Sequence, residues 1–194
     1  DIGGDVSLVG GSSVGGTGGS IRIASGASEK RSSGSITIES SNAGNKGISG
    51  AIMLSTGKSE NGPSGMVQIV TGDATGGKAG DIDLSVGTGS QGPGGLILLQ
   101  AGDTTDAGTG GKITIVSGRS TTTTSGAITV ETAGSGADGA SGALSISTGS
   151  SSQAPSGAID IGTGIANEGS SGSITISVGS GAAAVGGNLD MIGG

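Results

Sequence analysis

Few groups in this chain could do chemistry. Asp81 and Asp83 are its one close pair of carboxylates on a common face. In an extended stretch, residues two apart stand on the same side, about 6–7 Å from each other. Two carboxyl groups at such a separation could flank a glycosidic bond as acid and base. Hydrolases of that kind also need aromatic and basic groups to orient the sugar. The chain has no Phe, Trp or Tyr, and we expect no basic partner beside the pair. His and Cys are absent too, so there is no Ser-His-Asp triad, no Cys nucleophile, no disulfide and no zinc site of the usual kind. Gly is abundant, yet no Gly-x4-Gly-Lys-Ser/Thr phosphate loop occurs. The reading is therefore not an enzyme, and it assigns no cofactor.

Metal binding is a second use for the same carboxylates. Asp81 and Asp83 follow Gly76-Gly77-Lys78-Ala79-Gly80, which loosely resembles the Gly-rich nonapeptide of calcium β-rolls. A repeated calcium site would place carboxylates in every turn. Asp73, Asp103 and Asp106 lie in other connectors and do not repeat the pattern. Asp81 and Asp83 remain the candidate ligands, and no metal is assigned. Hydroxyl groups concentrate in Arg119-Ser120-Thr121-Thr122-Thr123-Thr124-Ser125. Thr121, Thr122, Thr123 and Thr124 are candidates for O-glycosylation in a secreted protein. No Asn-x-Ser/Thr acceptor exists.

The elements that must position these groups come from a repeat. Of 194 residues 47 are Gly, and with 33 Ser and 19 Thr they make up half the chain. Gly plus Pro at about a quarter suggests disorder unless a period exists. A period does exist. The pattern Gly, any, aliphatic, any, aliphatic, any, small or Val begins at Gly4, Gly19, Gly34, Gly50, Gly65, Gly80, Gly95, Gly111, Gly126, Gly142, Gly157, Gly172 and Gly187. Thirteen copies thus follow one another at 15 or 16 residues.

Both aliphatic columns are filled without exception. They open with Val6/Leu8 and continue with Ile21/Ile23, Ile36/Ile38, Ile52/Leu54, Val67/Ile69, Ile82/Leu84 and Ile97/Leu99. The remaining pairs are Ile113/Ile115, Ile128/Val130, Leu144/Ile146, Ile159/Ile161, Ile174/Ile176 and Leu189/Met191. Alternation of mostly β-branched residues predicts a strand in each copy. Seven to nine Gly/Ser-rich residues then predict a turn. Counting copies from Gly4 as zero, all three 16-residue spacings follow even copies, and Pro63, Pro93 and Pro155 follow odd ones. A unit of about 31 residues with two different corners results.

The fold expected from this is all-β: a parallel β-solenoid with two strands per coil, forming two stacked parallel sheets. The columns would point inward as a core ladder. One coil per repeat and an antiparallel meander are the rival arrangements. The whole chain, 1–194, reads as a single continuous array. Because the pattern runs to both termini without a cap, it is expected to be a piece of a longer array, or to extend by stacking end to end. No signal peptide is visible at Asp1 and no apolar run reaches membrane-spanning length.

Outward positions read Arg22, Met53, Asp83, Thr114, Ser145, Thr175 on one sheet and Ser7, Thr37, Gln68, Leu98, Thr129, Asp160, Asp190 on the other. Neither is the regular Thr row that ice binding requires. Met66 and Val70 would neighbour Leu96 and Leu98 on the next rung. That apolar cluster is the candidate lateral interface. The net charge of −7 argues against nucleic acid.

The phrase Ser141-Gly142-Ala143-Leu144-Ser145-Ile146-Ser147-Thr148-Gly149 resembles the Gly/Ser/Thr-rich repeat arrays of large secreted proteins in algae, other protists and bacteria. That resemblance covers the whole chain and implies an extracellular or cell-surface structural role in a filament, sheath or adhesin stalk. Its implied partners are further copies, other filament proteins or glycans. A surface-binding module, for ice first and polysaccharide or mineral second, is the alternative. Thermal hysteresis would separate the two.

Overall fold

The computed structural model describes residues 2–182 and 186–193. The chain divides into two units, Asp1–Ile97 and Leu98–Gly194.

Both units are built from one device. Each copy of the repeat contributes a seven-residue extended segment, from its first Gly to the small or Val position, and none of these segments contains a bend. Bends and turns fall only in the connectors. Alternating β-branched residues favour the extended backbone, while Gly, Ser and Asn tolerate the bend.

The connectors close on themselves. The residue that ends one segment meets the Gly that begins the next, making a neck. A methyl group placed on Gly65 would stand 3.4 Å from Thr56 Cγ2, and one on Gly172 would stand 3.5 Å from Thr163 Cγ2. The same pairing recurs at Ser25/Gly34, Thr71/Gly80, Val86/Gly95, Ser117/Gly126, Thr148/Gly157 and Val178/Gly187, and at Gly10/Gly19 nearest the N-terminus. In these the partners are nine residues apart. In three others, Ser40/Gly50, Ala101/Gly111 and Thr132/Gly142, they are ten apart. Those three are the connectors of the 16-residue spacings. The extra residue is therefore taken up inside the loop, and the segments keep their length.

Backbone hydrogen bonds seal four necks. Gly19 N–H donates to Gly11 C=O at 2.7 Å, Gly34 to Gly26 at 3.0 Å, Gly111 to Gly102 at 2.9 Å and Gly126 to Gly118 at 2.9 Å. In two of these necks a side chain would collide: a methyl on Gly10 would lie 2.5 Å from Gly19 O, and one on Gly111 would lie 3.0 Å from Ala101 Cβ. Local bonds hold several loop tips. Ser13, Ser28 and Ser151 Oγ each accept from the N–H three residues on. Gly47 and Gly139 N–H donate to Gly44 and Gly136 C=O, closing β-turns with Gly at the last position. Only Gly92, just before Pro93, has a left-handed backbone among the described residues, with φ of 73°.

These findings overturn the expected parallel β-solenoid. Among the described residues there is no strand, no sheet and no helix. Every backbone-to-backbone hydrogen bond there spans three, eight or nine residues, so no ladder joins one copy to another. The rival one-coil-per-repeat and meander arrangements fall with it. The expected core is missing as well: no residue is buried among the described residues. Ile21, Ile23, Ile36, Ile38, Ile52, Leu54, Ile82 and Leu84 are exposed, as are Ile113, Ile115, Ile128, Val130, Ile159, Ile161, Ile174 and Ile176. The accessible surface is 19205 Å². A compact monomer of this mass would show about 8,000 Å² and an extended chain about 26,000 Å².

The physical reason lies in what alternation encodes. Apolar residues at i and i+2 favour an extended backbone, but pairing needs a neighbour that gives more than ordering the chain costs. Two aliphatic side chains per fifteen residues, with no aromatic among them, offer little area for that purpose. Each connector instead satisfies its polar groups locally or in water.

Candidate contact surface

Along a seven-residue segment the first Gly, the two aliphatic residues and the closing residue share one parity. In an extended backbone they therefore share one side. The closing residues are Gly10, Ser25, Ser40, Thr56, Thr71, Val86, Ala101, Ser117, Thr132, Thr148, Thr163, Val178 and Gly193. No charged residue occupies any of these four columns. All 8 Lys and Arg and all 15 Asp and Glu fall on the other parity or outside the segments. Arg22, Asp83, Asp160 and Asp190 stand between the aliphatic columns; Lys30, Arg31, Lys46 and Asp106 stand in connectors.

Exposure along this side is graded, and the necks grade it. The twelve first-column residues that follow a neck, Ile21 through Leu189, are 50–57% exposed. Second-column residues that precede a neck, Leu8 through Ile176, are 62–76% exposed. Val6 has no described neck before it and is 91% exposed; Met191 has none after it and is 85% exposed. Closing a connector thus covers part of the aliphatic residue beside it and leaves the rest in water. At about 25 cal/mol per Å², the roughly 1.5–3 kcal/mol of a fully buried aliphatic side chain corresponds to about 60–120 Å². With half to three-quarters of that exposed, each column residue beside a neck leaves about 30–90 Å² of apolar surface in water.

The other candidates stand apart from this side. Met66 and Val70 are on Gly65–Thr71, and Leu96 and Leu98 are on Gly95–Ala101, at the opposite parity. All four are 70–81% exposed. The sheet that was to set them on adjacent rungs is absent, so no rung joins them.

Asp81 has a basic partner after all. Lys78 Nζ lies 2.8 Å from each carboxylate oxygen of Asp81, correcting the expectation of no basic group beside the pair. The i, i+3 spacing was the available signal. Both side chains are largely in water, 79% and 76% exposed, where such a pair is weak. No three His, Cys, Asp or Glu side chains gather among the described residues.

In the hydroxyl-rich loop, Ser120 is the centre. Its Oγ accepts from Thr122 N–H at 3.2 Å and Thr123 N–H at 2.8 Å, and shares a hydrogen with Thr123 Oγ1 at 2.9 Å. Ser120 is half-buried, together with Gly10, Ala101 and Ser117, which are neck residues. Thr121, Thr122 and Thr124 make no side-chain hydrogen bond of this kind and are exposed. The described residues enclose no cavity, and no helix among them is long and apolar enough to cross a membrane. Sorting charge by position within the repeat would have found the uncharged side from sequence; the closing position was legible only as "small or Val". The chain matches no protein-family model, no curated protein and no solved structure.

Proposed function

We propose that this chain is a non-enzymatic structural repeat array that forms or decorates an extracellular filament, sheath or adhesin stalk. The observation that carries the reading is the repetition of one exposed, uncharged aliphatic side in thirteen segments, with every charge placed elsewhere. A catalyst needs one site made unlike its surroundings, with groups converging on a reacting atom. Here the same small pattern recurs and few polar side chains converge. Architecture by copying suits material whose function scales with length. Charges in the connectors and on the opposite side keep such an array hydrated.

Antibody labelling of intact, unpermeabilised source cells tests this. The expected result is label along surface fibres or a continuous coat. Label that appears only after permeabilisation would overturn the proposal.

A further inference from the structure

We infer that Asn61 is a self-modifying site: the backbone nitrogen of Gly62 attacks its side-chain amide and converts it, with water as the only co-reactant, to aspartate and isoaspartate. The inference does not depend on the structural-array reading.

Three connectors carry a proline in the same context: Asn61-Gly62-Pro63, Gln91-Gly92-Pro93 and Gln153-Ala154-Pro155. Only the first joins an Asn to a Gly. Attack by the next residue's nitrogen on an Asn side chain closes a five-membered ring. On Gln it would close a six-membered ring, which forms more slowly. A Cβ on the attacking residue crowds the approach, and Gly has none. The other Asn residues, Asn42, Asn45, Asn167 and Asn188, are followed by Ala43, Lys46, Glu168 and Leu189.

The fold leaves the reacting groups free. Asn61 and Gly62 are exposed and lie in the bend over residues 60–62. Among the described residues no acceptor engages Gly62 N–H. Asp138-Gly139 is the contrast. The same attack there would expel water in place of ammonia, but Gly139 N–H donates to Gly136 C=O at 3.4 Å in a closed turn. An ionised carboxylate also resists attack at its carbon.

In the first step Gly62 N bonds to Asn61 Cγ and the Cγ–Nδ2 bond breaks. Ammonia leaves with the proton of Gly62 N, and a succinimide remains. Water then opens the ring. Addition at Cγ gives aspartate; addition at the Asn61 backbone carbonyl gives isoaspartate, with the chain running through Cβ. No electrons are transferred to or from the chain. Each conversion adds one negative charge to a chain at −7, beside Glu60.

The test is incubation of the full chain in heavy-oxygen water at mildly alkaline pH, followed by trypsin digestion and mass spectrometry. Asn61 is the sole Asn of the tryptic peptide Ser59–Lys78. That peptide should gain about 3 Da, and fragmentation should show both products. Conversion should run at least tenfold faster at Asn61 than at Asn42 or Asn167, because only Gly62 lacks a Cβ. Gly62→Ala should slow it by at least tenfold. A methyl on Gly62 would stand 3.7 Å from Ser59 Oγ, an ordinary contact, and Gly62 is not left-handed, so that variant keeps the loop. Unfolding in urea should change the rate at Asn61 by less than about twofold, since no hydrogen bond holds Gly62 N–H back. An Asn61 no faster than Asn42, a rate indifferent to Gly62→Ala, or aspartate without isoaspartate would overturn the inference. So would a tenfold acceleration in urea, which would show that the folded loop protects Asn61.

Discussion

The segments beginning at Gly4 and Gly19 carry the same pattern, Gly-x-aliphatic-x-aliphatic, yet their first aliphatic residues stand in different surroundings. Val6 is almost fully in water, while Ile21 has lost nearly half its exposure. The difference is the neck before Ile21, where Gly19 N–H is bonded to Gly11 C=O. Segment sequence therefore decides the direction of the side chains, and the closed connector decides how much of them water reaches. A unit of hydrophobic shelter in this protein is one neck, not a core.

The strongest way to break that contrast is to open the neck. Gly10→Val would press a side chain against Gly19 O, at a position where even a methyl lies 2.5 Å away; backbone must move, at a cost of about 1–3 kcal/mol. We expect amide exchange at Gly19 to speed up by at least tenfold and Ile21 to become as accessible to a soluble paramagnetic probe as Val6. An unchanged Ile21 would refute the shielding account.

A smaller effect should follow from loosening a loop tip while leaving its neck intact. Ser120→Ala removes the acceptor for Thr122 and Thr123 N–H, worth about 1 kcal/mol. Exchange at Thr123 should rise about fivefold, and exchange at Gly126, whose bond to Gly118 seals that loop, should rise less. Equal changes at both would mean that tip and neck form one unit.

The smallest effect is expected from Lys78→Met, which removes the exposed pair with Asp81. Exchange at Gly80 should change by less than twofold, and the change should vanish at high salt. A large, salt-independent change would show that Lys78 has a packing role beside the neck formed by Thr71 and Gly80.

How much of this was legible beforehand differs by element. The thirteen segments were, because Ile21/Ile23 and their counterparts alternate and Gly marks each start. The bends were, through Gly, Ser and Pro63, Pro93 and Pro155. The sheets were not. Alternation is a property of a single backbone, whereas a ladder is a property of two. For the same reason a neighbourhood of Met66, Val70, Leu96 and Leu98 depends on a register, which alternation within one segment does not set. The Lys78–Asp81 pair was legible only as opposite charges at i, i+3, because side-chain conformation decides whether such a pair closes.

The sequence by itself determined the period, the extended segments, the places where the chain bends and the side of each segment that carries no charge. These follow from local sterics and from parity along one backbone, which need no distant partner. Tertiary structure alone decided that each connector closes at a neck, that the extra residue of the longer spacings resides inside a loop, and that the aliphatic columns stay in water. Those outcomes depend on which backbone groups find each other in space, and among the described residues the partners met lie three, eight or nine residues away.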